Sequence, residues 1–138
     1  MLLKPGLILS QAATRQLSNL ASRAYPREGC GFLLGIRHSQ HSVIHFVASG
    51  RNRSQALDRF VLDPGDLVAA DNLARQAGLE LLGFWHSHPD AAALPSDADR
   101  AAAWSAMSNL IVPVDDGVPG SPRSWQLVDG VMLEESTG

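Results

Sequence analysis

Residues 79–99 read Leu79-Glu80-Leu81-Leu82-Gly83-Phe84-Trp85-His86-Ser87-His88-Pro89-Asp90-Ala91-Ala92-Ala93-Leu94-Pro95-Ser96-Asp97-Ala98-Asp99. The apolar run Leu79–Trp85 predicts a buried strand. Residues two apart on a strand share a face, so His86 and His88 can reach one ion, while Ser87 points to the opposite face. Pro89 and Asp90 end the strand, and Ala91–Pro95 carries the chain round. Ser96 then opens a helix, with Asp99 in its first turn able to point back at the two imidazoles. Two histidines and a carboxylate make three of the four ligands of a catalytic zinc site, with the fourth position open to water. Ser96-x-x-Asp99 is also a capping-box pattern, which stabilises a helix start without any metal. The two readings are compatible.

Outward from this stretch, the periodicity predicts alternating strands and helices. Leu7–Leu9 reads as a short strand. Ser10 caps a helix to about Ala24, with Ala13, Leu17, Leu20 and Ala24 on one face, and Pro26 stops it. Gly31–Ile36 and Val43–Ala48 read as a hairpin around a polar turn. A loop with two arginines, Arg51 and Arg53, leads to a short strand at Phe60–Leu62. Pro64 starts a second helix that ends near Gly78. After the Ser96 helix, Asn109–Val114 is a strand and Asp115–Pro122 a Gly/Pro loop. Trp125–Val128 and Val131–Glu134 flank Asp129-Gly130, a two-residue hairpin signal. The order of elements implies an α/β fold with a mixed sheet and helices packed against it.

Activated water needs a proton acceptor. The His-Glu-x-x-His helix of many zinc peptidases is absent, so a base must come from elsewhere. Glu28 precedes the Gly-rich apolar strand Gly29-Cys30-Gly31-Phe32-Leu33-Leu34-Gly35. A carboxylate at the edge of a core is partly desolvated, which raises its pKa towards the range useful for proton transfer. Spacing alone reads Glu28 first as an exposed loop carboxylate and second as a base.

Composition bounds the function. A chain of 138 residues, 45% hydrophobic, fits one globular domain over residues 1–138. A net charge of −3 gives no electrostatic footprint for nucleic acid and no attraction to an anionic membrane. One cysteine excludes an internal disulfide framework, and Cys30 reads as a core residue. No stretch is long and apolar enough for a membrane span, and Met1–Leu9 is too short and interrupted for a signal peptide. The expected setting is the cytoplasm. His38, His41 and His45 read as a solvated hairpin more readily than as a second metal site, and Trp85 and Trp104 as core or pocket-wall aromatics.

His86-Ser87-His88, seven residues, then Ser96-x-x-Asp99, with Glu28 ahead of Cys30-Gly31-Phe32-Leu33-Leu34-Gly35, resembles the JAMM (MPN+, Mov34/JAB) zinc metalloprotease family. Arg59–Pro64 and Ser124–Leu127 resemble later segments of the same family. The resemblance implies a single-domain α/β/α sandwich of MPN (JAB) type with a mixed central sheet. It implies one catalytic Zn2+ bound by His86, His88 and Asp99, with Glu28 as general base and acid and Ser96 as oxyanion stabiliser. It also implies hydrolysis of the amide bond after the Gly-Gly tail of a ubiquitin-like protein. The shortness of the chain resembles members that process ubiquitin-like sulfur carriers. The alternatives are an isopeptidase that removes ubiquitin-like modifiers from conjugates and a non-catalytic module that binds them. A zinc deaminase needs His-x-Glu with a Cys-x-x-Cys pair, which a chain with only Cys30 cannot supply. The partner carrier and the oligomeric state are not legible in the sequence.

Overall fold

The computed structural model of the chain describes residues 2–138. Its elements are β1 (Leu2–Leu9), α1 (Gln11–Ala24), β2 (Cys30–Arg37), β3 (Ser42–Gly50), α2 (Pro64–Gln76), β4 (Glu80–Pro89), α3 (Asp97–Ala102), β5 (Ser108–Asp115), β6 (Val118–Pro119), β7 (Arg123–Val128) and β8 (Val131–Thr137). The helix starts follow ordinary capping chemistry. Ser10 Oγ accepts from the Ala13 N–H at 3.0 Å, and Asp63 Oδ1 accepts from the Gly65 N–H at 2.8 Å ahead of Pro64. The stripe of α1 that enters the core is Ala13, Leu17 and Ala21, with Leu20 partly buried beside it.

The sheet is mixed, as expected. Its order is β4-β2-β3-β1-β8-β7-β5-β6, with β4 also paired to β5. β1 runs parallel to β3 and β8, and β4 parallel to β5; the other pairs are antiparallel. These pairings return to their start, so the sheet closes on itself. A sandwich of flat layers does not include this closure. The reason is long-range: β5 leaves α3 beside β4, and β8 comes to lie beside β1.

Alternation along β2 separates two apolar clusters. Leu33 packs with Leu17, Val47, Trp85 and Leu110 against α1. Phe32 and Leu34 pack with Phe84, Ala70 and Ala74 against α2. Trp85 is buried as a core aromatic, and its indole N–H donates to the Ala48 carbonyl at 2.9 Å. That contact requires glycine at 31, because a Cβ there would lie 2.0 Å from the Ala48 carbonyl oxygen and 2.5 Å from the Trp85 indole nitrogen. Cys30 is buried, as its neighbours imply.

Two local expectations change. Phe60–Leu62 is not a strand; only an isolated antiparallel bridge joins Asn52 to Leu62. Side-chain bonds from Asn52 take the place of a ladder there. The Asp115–Pro122 loop contains the two-residue strand β6, which pairs with the end of β5. Among the described residues, no helix is long and apolar enough to cross a membrane.

Candidate metal centre

β4 carries His86 and His88 to the end of the sheet between β2 and β5. Both imidazoles are buried and face the same side, and their Nε2 atoms lie 3.2 Å apart. Asp99, in the first turn of α3, points back at them. Its Oδ2 is 3.0 Å from His88 Nε2 and 3.2 Å from His86 Nε2. The carboxylate is also held by its helix: Oδ2 accepts from the Ser96 N–H at 2.9 Å, while Ser96 Oγ accepts from the Asp99 N–H at 3.0 Å. The expected capping box is therefore formed, and it aims Asp99 at the histidines.

The fourth member comes from the segment between α1 and β2. Glu28 is 4% exposed, and donor atoms of Glu28, His86, His88 and Asp99 all lie within 4.8 Å of one another. Glu28 Oε1 is buried with no hydrogen-bond partner. Such an orphaned oxygen is costly unless something polar faces it. Ser87, on the other face of β4, fixes this segment: its Oγ accepts from the Gly29 N–H at 2.7 Å, and its own N–H donates to the Gly29 carbonyl at 2.9 Å.

The donor set fits a divalent metal. Four ligands about 2.0–2.1 Å from a tetrahedral zinc stand about 3.3 Å from one another. The three contacts among His86, His88 and Asp99 approach that spacing. His88 Nδ1 faces the Ala92 carbonyl at 2.8 Å. A carbonyl can only accept, so Nδ1 carries a proton, and with an ion in the cluster Nε2 would present its lone pair to it. Such a cluster of nitrogen and carboxylate donors holds an ion better than it holds the mutual repulsion of bare lone pairs.

Electrostatics separates the roles. Burial pushes the Glu28 carboxyl up to about 7, an effect that His88 opposes and Asp99 reinforces. Burial would also raise Asp99, but hydrogen bonds from His86 and His88 outweigh it and hold this carboxyl well below the usual range. Burial lowers the pKa of His86, against the opposing pull of Asp99. The two carboxylates of the cluster are thus driven apart, Glu28 upward by burial and Asp99 downward by its histidine neighbours.

An apolar cavity of about 410 Å3 opens beside His86 and Asp99. Phe60, Leu62, Phe84, Trp104, Ile111 and Met132 line much of it. Trp104 is half exposed and meets Phe84 edge-on, so it is a wall of this cavity and not core. Phe60 stacks on the His86 ring with centroids 4.4 Å apart. No periodicity links the two rings, which stand 26 residues apart, so the stacking is not readable from sequence. Nor does the sequence show that Arg51 pairs with Asp66, or Arg53 with Asp63, in what reads as an ordinary polar loop. Asn52 could have been noticed as an Asx-turn residue, since its Oδ1 accepts from the Ser54 N–H two residues on. The other histidines lie apart from the cluster, with His38 and His41 stacked on each other at the β2–β3 turn.

Prokaryotic homologues of the JAB domain match residues 10–128, a stretch that contains the whole cluster. The chain belongs to this family. Among its JAB-domain relatives, the desampylase of Haloferax volcanii is 32% identical over 96 residues, 65% of this chain and 65% of that protein. A Thermus thermophilus protein named "Probable TtuB-protein conjugate cleaving protease" is 34% identical over 83 residues, 59% of this chain and 53% of that protein. The chain thus matches less than two thirds of the length of these relatives. The solution structure of a protein from Desulfitobacterium hafniense superposes with a TM-score of 0.84 at 26% identity, over 96% of this chain and 94% of that one.

Proposed function

We propose that this JAB-family chain is a zinc-dependent peptidase that hydrolyses the amide bond after the Gly-Gly tail of a ubiquitin-like sulfur-carrier protein. The observation that carries the reading is the buried Glu28–His86–His88–Asp99 cluster with its partnerless Glu28 oxygen. The reading takes residues 1–138 as one cytoplasmic catalytic domain of MPN-type α/β/α layering.

His86, His88 and Asp99 would hold one zinc ion, which supplies Lewis acidity and makes water a nucleophile at neutral pH. Glu28 stands near enough to accept the proton of the attacking water on its carboxylate. With a pKa of about 7 it can then return that proton to the leaving amine. Ser96 Oγ accepts from the Asp99 N–H, which leaves its own O–H free to donate to the developing oxyanion. Phe60 shields one face of His86 from bulk water. A Gly-Gly tail suits such a site, because it lets substrate backbone approach closely without a side chain in the way.

A second reading, an isopeptidase that removes ubiquitin-like modifiers from conjugates, is favoured by one observation: a relative's name describes conjugate cleavage. One experiment separates the two. The zinc-loaded protein is mixed with a sulfur carrier bearing residues beyond Gly-Gly, and with a branched conjugate of the same carrier, and products are weighed by mass spectrometry. Loss of the linear extension, absent in Glu28→Gln with zinc still bound, supports the peptidase. Cleavage of the branched conjugate alone moves the assignment to the isopeptidase. Full turnover by Glu28→Gln overturns the mechanism for both.

A further inference from the structure

The side-chain amide of Asn52 has two N–H donors and two carbonyl lone pairs, and all four are engaged. Its Nδ2 donates to the Glu28 carbonyl at 2.9 Å and to the Arg59 carbonyl at 3.2 Å. Its Oδ1 accepts from the Ser54 N–H at 2.9 Å and from the Val61 N–H at 3.0 Å. These partners belong to two different parts of the site. Glu28 supplies the buried carboxylate. Residues 59–61 carry Phe60, which stacks on His86 and forms one wall of the apolar cavity. Residues 53–61 form neither helix nor continuous strand; the backbone ties flanking Phe60 are the isolated Asn52–Leu62 bridge and the Arg53 N–H, which donates to the Val61 carbonyl at 2.8 Å. Arg27 adds a second link by donating to the Ser54 carbonyl, and the Arg53–Asp63 pair anchors the loop's far side to the start of α2.

We infer that Asn52 is a positioning residue that sets the Glu28 carboxylate and the Phe60 wall in one fixed relation, so that the proton-transfer group and the substrate wall move as a unit. The side chain touches neither the cavity nor the metal-ligand atoms. Its effect passes through two backbone carbonyls and two backbone amides. A side chain that only capped a turn would need the Ser54 bond alone; the bonds to Glu28, Arg59 and Val61 go beyond that.

The inference makes different demands of two substitutions. Asn52→Asp keeps the acceptor for Ser54 and Val61 but loses both donors, so it cuts the link to Glu28 and spares the turn. Asn52→Ala removes all four bonds. Site-resolved amide hydrogen exchange on the zinc-loaded protein reads both. Asn52→Asp is expected to speed exchange of the Gly29 amide on the order of tenfold, with Ser54 and Val61 held near wild-type rates. Asn52→Ala is expected to speed all three. In the wild-type chain, the three amides should show one common opening reaction as denaturant is added. Zinc content should stay at wild-type stoichiometry in both variants.

An unchanged Gly29 rate in either variant, or separate openings for Gly29 and Val61 in the wild type, would overturn the inference. The wild-type measurement stands even where a variant does not fold. The functional consequence rests on the proposed peptidase activity: Asn52→Asp should lower kcat on the carrier substrate with KM little changed, whereas Asn52→Ala should alter both. A wild-type protein inactive on every carrier would defeat the proposed function and leave the exchange test untouched.

Discussion

Ser87 and Gly29 exchange two hydrogen bonds, Gly29 N–H to Ser87 Oγ at 2.7 Å and Ser87 N–H to the Gly29 carbonyl at 2.9 Å. The residue between the two histidines thus clamps the residue after Glu28. One side of β4 presents the imidazoles, and the other holds the carboxylate segment in place.

Ser87→Ala leaves the buried Gly29 N–H without a partner. A cost of about 1–3 kcal/mol is expected, visible as a fall in Tm of several degrees. Because Glu28 is adjacent, turnover should fall further than stability does. Thermal melts and steady-state rates on one preparation check both; an unchanged Tm would contradict the clamp.

Removing a ligand should remove the metal. His86→Ala, His88→Ala and Asp99→Ala are each expected to drop zinc below one ion per chain after dialysis, read by elemental analysis. Asp99→Ala should also cost about 1 kcal/mol, because half of the capping box goes with it. In the wild type, a chelator should lower Tm, since an ion bound only by the folded state stabilises it. Equal melting with and without chelator would mean that no ion is held.

Phe60→Ala uncovers one face of His86. Faster release of zinc to a competing chelator, on the order of tenfold, is expected, with only a small change in Tm because Phe60 is half-buried and sits on a loop. Stopped-flow transfer to a coloured chelator measures it.

Glu135 supplies a pH dependence away from the candidate metal centre. It is buried on β8, accepts from the Ser108 hydroxyl at 3.0 Å, and burial raises its pKa above the ordinary value of 4.5. A carboxyl whose folded pKa is raised binds its proton more tightly in the folded state. Stability is therefore greatest below pH 4.5 as far as this group is concerned, and declines as pH climbs through the raised folded pKa. Glu135→Gln removes that decline. At neutral pH it is expected to raise Tm by roughly 2–5 °C, while leaving zinc content unchanged. A lower Tm at pH 7 would refute this account of Glu135.

What could be read from sequence follows the distance over which each feature acts. His86, His88 and Asp99 are close along the chain, and two periodicities, one of strand and one of helix, suffice to bring them together. The capping box is local in the same way. Glu28 lies 58 residues from His86; its place ahead of an apolar strand made it a candidate base, but spacing alone favoured an exposed loop carboxylate, and the resemblance tipped the reading. Asn52, Phe60 and the Ser87–Gly29 clamp join segments with no shared periodicity, so their roles appear only in three dimensions. The same holds for sheet closure. The hairpins β2–β3 and β7–β8 announce themselves by their turns, whereas the parallel pairs β4–β5 and β1–β8 have no turn to announce them.

The parallel pairing of β1 with β8 also bears on synthesis at the ribosome. Glu28, His86, His88 and Asp99 all emerge before β5 has been made, so every group of the cluster is present while the ring of strands is still open. β1 meets β3 early, but its other edge waits for residues 131–137. Until those residues emerge, a nascent chain presents an unpaired strand to its neighbours, the kind of surface that chaperones bind and that aggregates template. Truncation within β8 should therefore show itself first as poor yield and only then as lost chemistry.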